Sequence, residues 1–137
     1  MRRGISLTEL LIVLAIIGIL VAIGAGGVRA LLDRGRLSEA TNVIEGQIQE
    51  ARRLAKRLDQ DVTFTLAAAS GIWEIDVNGR TSTLPAGVSI VPIGGATLVF
   101  DAPFGTYAGG DVAMEVAVGS ASRDIVVTGV LARVVRP

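Results

Sequence analysis

The first residues of the chain place one carboxylate directly before an apolar segment. Glu9 precedes Leu10–Val28, a run of nineteen residues without a charge. A carboxylate beside an apolar run long enough to cross a membrane costs free energy because it lies close to lipid. Such a group is expected only where a cation pairs with it or where it has a function. The chemistry open to Glu9 is therefore an ion pair in a low-dielectric environment. The structural alternative is a glutamate that snorkels to the lipid headgroups from the first helical turn.

The composition argues against catalysis elsewhere in the chain. There is no histidine and no cysteine among the 137 residues. Their absence excludes disulfides, the common zinc sites, cysteine nucleophiles and a histidine general base. An enzyme on a membrane tether would depend on carboxylates such as Asp101 or Asp111, and solvated turn residues explain both better. We therefore expect a protein that is not an enzyme and that has no cofactor and no metal.

The apolar run is long enough to cross a membrane. As a helix, its length of about 28 Å matches a hydrocarbon core of about 30 Å. Arginines lie on both sides of the run, so the positive-inside rule does not fix its orientation. Three ordinary interpretations are a secretory signal cut near Ala22-Ile23-Gly24, a twin-arginine signal at Arg2-Arg3, and a plain single-pass tether. The tether leaves Glu9 and Gly4 without a role.

The N-terminus resembles the class III signal of type IV pilins and type II secretion pseudopilins. A basic leader of four residues ends at Gly4, and Glu9 lies five residues beyond it. The resemblance implies that a prepilin peptidase cuts between Gly4 and Ile5, and that Ile5 is then N-methylated. It also implies that Glu9 directs assembly by pairing with the N-terminal amine of a neighbouring subunit. The N-terminus would then lie in the cytoplasm.

Hydrophobic periodicity predicts that the helix continues to residue 58. Apolar residues spaced by three or four share one face, and charged residues lie opposite. With the apolar run, this gives one helix of about 50 residues whose second half backs a globular domain. The stripe comprises Leu37, Ala40, Ile44, Ile48, Ala51, Ala55 and Leu58, widened by Val43 and Leu54.

Beyond Asp59 the apolar pattern changes to period two, which indicates half-buried strands. Asn78-Gly79 between two such runs is a strong hairpin signal. One helix against an antiparallel sheet is an α+β domain. With the leader and the filament-core role that the resemblance to pilins implies, we expect a leader at 1–4, a transmembrane and filament-core helix at 5–28, an amphipathic helix at 29–58 and a β-rich domain at 59–137. The predicted strands include Val62–Leu66, Trp73–Val77, Arg80–Leu84, Val88–Val91, Thr97–Phe100, Val112–Val118, Asp124–Val127 and Val130–Val135.

Blocks in the second half resemble the GspH/FimT group of minor pilins and pseudopilins. These blocks are Leu84–Val88, Leu98–Gly105 and Ile125–Val127. The resemblance implies a pilin-like fold and a structural subunit of a type II secretion pseudopilus or a type IV pilus. The implied partners are other pilin or pseudopilin subunits, the prepilin peptidase and the bacterial inner membrane, with the C-terminal domain in the periplasm.

A DNA-binding minor pilin in natural transformation is the alternative function. Some members of the group bind DNA through a C-terminal Gly-Arg-x-Arg motif, but Arg133 and Arg136 are three residues apart and neither follows the glycine. On a continuous strand they would point to opposite faces. A second basic cluster lies near the predicted helix end, where cations are also favoured by the helix dipole. It comprises Arg52, Arg53, Lys56 and Arg57.

Overall fold

The computed structural model describes residues 6–93, 97–128 and 133–135, which form one helix and nine strands. Helix α1 spans Leu7–Leu58. The strands are β1 (Val62–Ala69), β2 (Ile72–Val77), β3 (Arg80–Thr83), β4 (Val88–Ile93), β5 (Thr97–Asp101), β6 (Thr106–Tyr107), β7 (Val112–Val118), β8 (Ala121–Thr128) and β9 (Arg133–Val135).

The long helix has the expected length and end. It contains 52 residues and begins after Ser6, whose Oγ accepts a hydrogen bond from the backbone N–H of Glu9 at 3.2 Å. This is the N-cap arrangement that satisfies one of the unpaired donors of the first turn. The helix ends at Leu58, and Asp59 follows with a left-handed φ of 53°. The prediction of one continuous helix is confirmed.

The chain divides into two compact units, residues 1–32 and 33–137. In the first unit, every side chain whose burial is described is exposed. Its helical segment is long and apolar enough to cross a membrane, by length and composition. In the second unit lie all the buried hydrophobic side chains of the described residues, from Leu37 to Val127. Because residues 33–137 hold this whole core, we expect them to fold without the first unit.

The strands form two antiparallel sheets. The first has the order β3-β2-β1-β5-β6 and the second the order β4-β7-β8-β9. The expectation of a helix against antiparallel strands is confirmed, but the strands do not form a single sheet. The alternation of apolar and polar residues predicts strands, but it does not predict which strands pair. Here β4 pairs with β7, although β5 and β6 lie between them in the sequence. The two-residue strand β6 was also missed, because it is too short to show a period.

The Asn78-Gly79 hairpin is confirmed. These residues join β2 to β3 with Val77 opposite Arg80. Both turn residues have positive φ, 54° and 81°, as a type I′ turn requires. The backbone N–H of Gly79 also donates to the Asp76 carboxylate at 3.2 Å. The turn therefore fixes the register of β2 against β3, which is the edge strand of the first sheet.

The apolar stripe of α1 forms one side of the core. Seven of its nine predicted members are buried, whereas Val43 is partly buried. Leu58 is 43% exposed, so its inclusion was wrong; it is the last helical residue, and the chain turns away after it. Thr41 is buried as well and donates its hydroxyl to the Leu37 carbonyl at 2.7 Å. This local hydrogen bond allows a polar residue to lie within the apolar stripe.

Candidate assembly surfaces

The N-terminal part of α1 offers an apolar surface with a carboxylate at its start. Glu9 lies in the first turn and is exposed. Leu10, Leu14 and Ile17 expose at least half of their surface. A continuous exposed apolar helix of this length requires lipid or other apolar helices around it. Gly4 and Ile5 lie outside the described residues, so the predicted cleavage site and methylation site stay predictions.

The predicted basic cluster does lie on the last turns of α1, but carboxylates accompany it. Arg53 Nη2 is 2.9 Å from Glu50 Oε2 in an exposed ion pair. Asp59 and Asp61 follow directly after the helix. Residues 50–61 therefore hold four cations and three carboxylates, and their net charge is small. Such a balance gives little long-range attraction for a phosphate backbone.

The loop between β5 and β6 is pinned against this end of α1. The Asp61 carboxylate accepts a hydrogen bond from the backbone N–H of Ala102 at 2.9 Å. Gly105 is buried, with a φ of 61°, and an ideal Cβ there would lie 2.7 Å from the Arg52 carbonyl oxygen. The backbone N–H of Gly105 also donates to the Asp101 carbonyl at 2.8 Å. These contacts hold the loop close to the helix.

The β5–β6 loop displays an exposed aromatic side chain, and the backbone of this loop lies beside two of the cations. Phe104 is 70% exposed, more than any other large hydrophobic side chain described in the second unit. Its neighbour Gly105 packs on Arg52 and Lys56. We call the surface formed by Arg52, Lys56 and Phe104 the basic end of α1. The residues of this loop predict a turn, and no local pattern marks Phe104 as an exposed side chain.

The outward side of the first sheet has the opposite charge. Val62, Phe64 and Leu66 are buried, so the alternate residues of β1 and their cross-strand partners face away from the core. Among the described strand residues on that side there are three carboxylates and no basic residue. We call this surface the acidic face; its charged members are Glu74, Asp76 and Asp101, and its remaining members include Thr63, Thr65, Thr81, Thr83, Thr97, Val99 and Thr106.

An open groove of about 470 Å³ lies at the edge of the acidic face. It is lined by Thr97, Val99, Asp101, Tyr107, Ala108 and Gly109. Tyr107 is almost fully buried, with its ring 6.1 Å from that of Phe100. Burial raises the pKa of the Tyr107 phenol above its ordinary value of 10.0. Because Tyr107 pairs with the buried Phe100, its ring lies on the core side of the sheet, and the groove has one carboxylate, Asp101, at its rim.

Of the two C-terminal arginines that the DNA-binding alternative depends on, only Arg133 lies within the described residues. Arg133 begins β9 and lies opposite Thr128 on β8, whereas Arg136 is outside the described residues. The basic cluster of α1 lies instead beside the β5–β6 loop of the other sheet. Within the described part of the chain, no group of three histidine, cysteine, aspartate or glutamate residues could hold a metal ion.

Comparison with known proteins agrees with these two features, the N-terminal helix and the sheet domain. Residues 1–25 match the prokaryotic N-terminal methylation motif. Among solved structures, the type IV minor pilin FimU of Pseudomonas aeruginosa is similar in fold, with a TM-score of 0.60 and 15% sequence identity. The match covers 76% of this chain and 90% of the FimU chain. Comparison with curated proteins gave no match.

The long helix packed on antiparallel sheets is the pilin fold. The chain therefore combines a pilin-like fold with a methylation motif at the start of its long helix.

Proposed function

We propose that this protein is a minor pilin or pseudopilin, a structural subunit of a type II secretion pseudopilus or a type IV pilus. The observation that carries the proposal is the position of the methylation motif. It covers residues 1–25, and it therefore includes the start of an exposed apolar helix that continues into a pilin-fold domain. That helix would anchor the subunit in a membrane before assembly, and it would pack among similar helices in the core of the filament after assembly.

In this proposal the leader 1–4 is removed by a prepilin peptidase and Ile5 is N-methylated. Glu9 then pairs with the Ile5 amine of the neighbouring subunit, which fixes the axial register in a low-dielectric core. Before assembly the helix anchors the subunit in the bacterial inner membrane, with its N-terminus in the cytoplasm and residues 59–137 in the periplasm. Other pilin or pseudopilin subunits and the peptidase are its partners. Its role is structural, without catalysis.

The direct test is the intact mass of the full chain after co-expression with a prepilin peptidase. We expect the loss of Met1–Gly4 and a gain of one methyl group at the new N-terminus. Two controls fix the meaning of the result: an inactive peptidase, and a Gly4→Leu chain whose bulky side chain blocks the cut. A full-length mass with an active peptidase, or a cut near Ala22–Gly24, would overturn the proposal.

No observation specifically favours DNA binding. The cations of α1 are accompanied by carboxylates, and the acidic face adds negative charge to the same domain. The titration that checks this uses residues 33–137 and a fluorescent duplex at several salt concentrations. Salt-sensitive binding that weakens in Arg133→Ala or Arg136→Ala would instead support a role in DNA uptake, because each neutralised phosphate adds to the salt dependence.

A further inference from the structure

We propose that the basic end of α1 in one copy of this chain docks on the acidic face of a second copy, with Phe104 seated in the groove beside Val99. This inference rests on the proposed function as a filament subunit and names one contact between neighbours. The contact requires a rigid projecting group, a cavity that receives it, and opposite charges around both.

The projecting group is Phe104. Its loop is held by the hydrogen bond from Ala102 to Asp61 and by the close packing of Gly105 on Arg52. Because these contacts already hold the loop in one conformation, the loop would lose little conformational entropy on docking. Aromatic side chains, including phenylalanine, and arginine are enriched in protein interfaces relative to the rest of the protein surface.

The receiving cavity is the groove at the edge of the acidic face. Its volume of about 470 Å³ lies within the range of about 300–1,000 Å³ that is typical of ligand pockets. Val99 is 42% exposed and would lose this exposed apolar surface against the phenyl ring. Asp101 stands at the groove and offers a carboxylate to a cation that approaches with the ring.

Charge selects which surfaces meet. The acidic face has Glu74, Asp76 and Asp101 and no described strand cation on the same side. The basic end supplies Arg52 and Lys56 from the last turns of α1. Single carboxylates of the acidic face can pair with single cations of the basic end, whereas two acidic faces would repel one another because neither has a described strand cation on that side.

Nucleic acid is a weaker candidate for the basic end than a second copy. A phosphate backbone near the end of α1 would also meet Asp59, Asp61 and the Glu50 carboxylate that pairs with Arg53. A protein partner can instead place single carboxylates against single cations. The acidic face supplies carboxylates on a surface that this chain itself provides.

The test uses disulfide capture, which is clean because the natural chain has no cysteine. The cysteines are placed beside the contact, so that Phe104 and Val99 stay in place: Pro103→Cys on one chain and Ala108→Cys, at an exposed position of the groove, on the other. The two full chains, distinguished by tags of different size, are reconstituted together in liposomes and oxidised. We expect the mixed dimer at about ten times the yield of a matched pair, as a contact preference of about 1.4 kcal/mol produces. The matched pair combines Pro103→Cys with Val91→Cys, which is 56% exposed on the edge strand β4.

Charge reversal supplies the second readout. Lys56→Glu on the Pro103→Cys chain should lower the mixed-dimer yield several-fold, and Asp101→Lys on the Ala108→Cys chain should restore it. Arg34→Glu, at an exposed position of α1, is the control and should leave the yield unchanged. The emission of Trp73, which packs against the core, shows that each variant is folded.

Three results would overturn the contact. One is a yield equal to that of the Val91→Cys pair, and another is a Lys56→Glu effect that Asp101→Lys does not restore. The third is binding of a single-stranded oligonucleotide that Phe104→Ala and Lys56→Glu both abolish. Cleavage after Gly4 is measured on the same chains, so a cleaved protein without the Pro103–Ala108 link leaves the proposed function standing and removes only the contact.

Discussion

The Asp61 carboxylate accepts a hydrogen bond from the backbone N–H of Ala102 at 2.9 Å, across 41 residues of sequence. This contact ties the segment after α1 to the loop that displays Phe104. Asp61→Ala removes the acceptor and should lower the free energy of unfolding by about 1 kcal/mol, the net value of an ordinary hydrogen bond. Asp61→Asn keeps an acceptor oxygen and should lose less. Urea unfolding of residues 33–137, followed by Trp73 fluorescence, measures both; equal losses would show that the hydrogen bond is not the cause.

Gly105 tests the packing of the same loop on the helix. Gly105→Ala places a Cβ 2.7 Å from the Arg52 carbonyl oxygen at a φ of 61°. We expect a loss of about 2–4 kcal/mol, the sum of a backbone cost and a steric cost. Gly87→Ala is the control, because its φ is 83° but no atom lies within 4 Å of the new Cβ. It should lose about 1 kcal/mol. If the two variants lose the same amount, the close contact is not what requires glycine at 105.

The two parts of α1 should respond differently to the same kind of truncation. Ile48 is fully buried, whereas Leu14 is 57% exposed. Ile48→Ala should destabilise the second unit by about 2–5 kcal/mol through lost burial and a cavity. Leu14→Ala should leave the unfolding of that unit unchanged within about 0.5 kcal/mol. Denaturation of the full chains in mild detergent compares the two; a large effect of Leu14→Ala would show that residue 14 takes part in the core.

Tyr107 should make stability depend on pH in the alkaline range. Burial raises the pKa of its phenol above 10.0, so the folded chain holds the proton to a higher pH than the unfolded chain. Its contribution is complete below about pH 10 and is lost as pH rises through the folded-state pKa. Tyr107→Phe removes this titration. Thermal unfolding between pH 8 and pH 11 should therefore show a smaller alkaline loss in Tyr107→Phe; parallel curves would contradict the assignment.

Glu9 should matter for assembly and not for folding. It is exposed in the first turn of α1 and is separate from the core of the second unit. Glu9→Gln should still be cleaved after Gly4, but its incorporation into filaments should fall tenfold or more, because breaking a buried ion pair costs about 3–5 kcal/mol. Glu39→Gln, exposed farther along the helix, is the control. Normal incorporation of Glu9→Gln in sheared filament fractions would argue for a snorkelling glutamate.

Much of the fold could be read from local patterns. The stripe from Leu37 to Ala55 predicted the buried face of α1, since apolar residues three and four apart lie on one side of a helix. Asn78-Gly79 predicted its hairpin because few residue pairs accept two positive φ values. Both are short-range properties that the structure confirms. The exposure of Leu58 was not predictable in this way, because periodicity continues to the end of a helix whether or not the chain turns away there.

The amino-acid sequence by itself determined the apolar helix, the carboxylate at its start and the motif that relates it to pilin-like proteins, because these depend on neighbouring residues. The tertiary structure decided the division into two sheets, the exposure of Phe104 and the charge of the acidic face. Glu74 and Asp101 are far apart in sequence and share a side of one sheet through the pairing of β1 with β2 and β5. Only strand register brings them to the same surface, and register depends on contacts between distant segments.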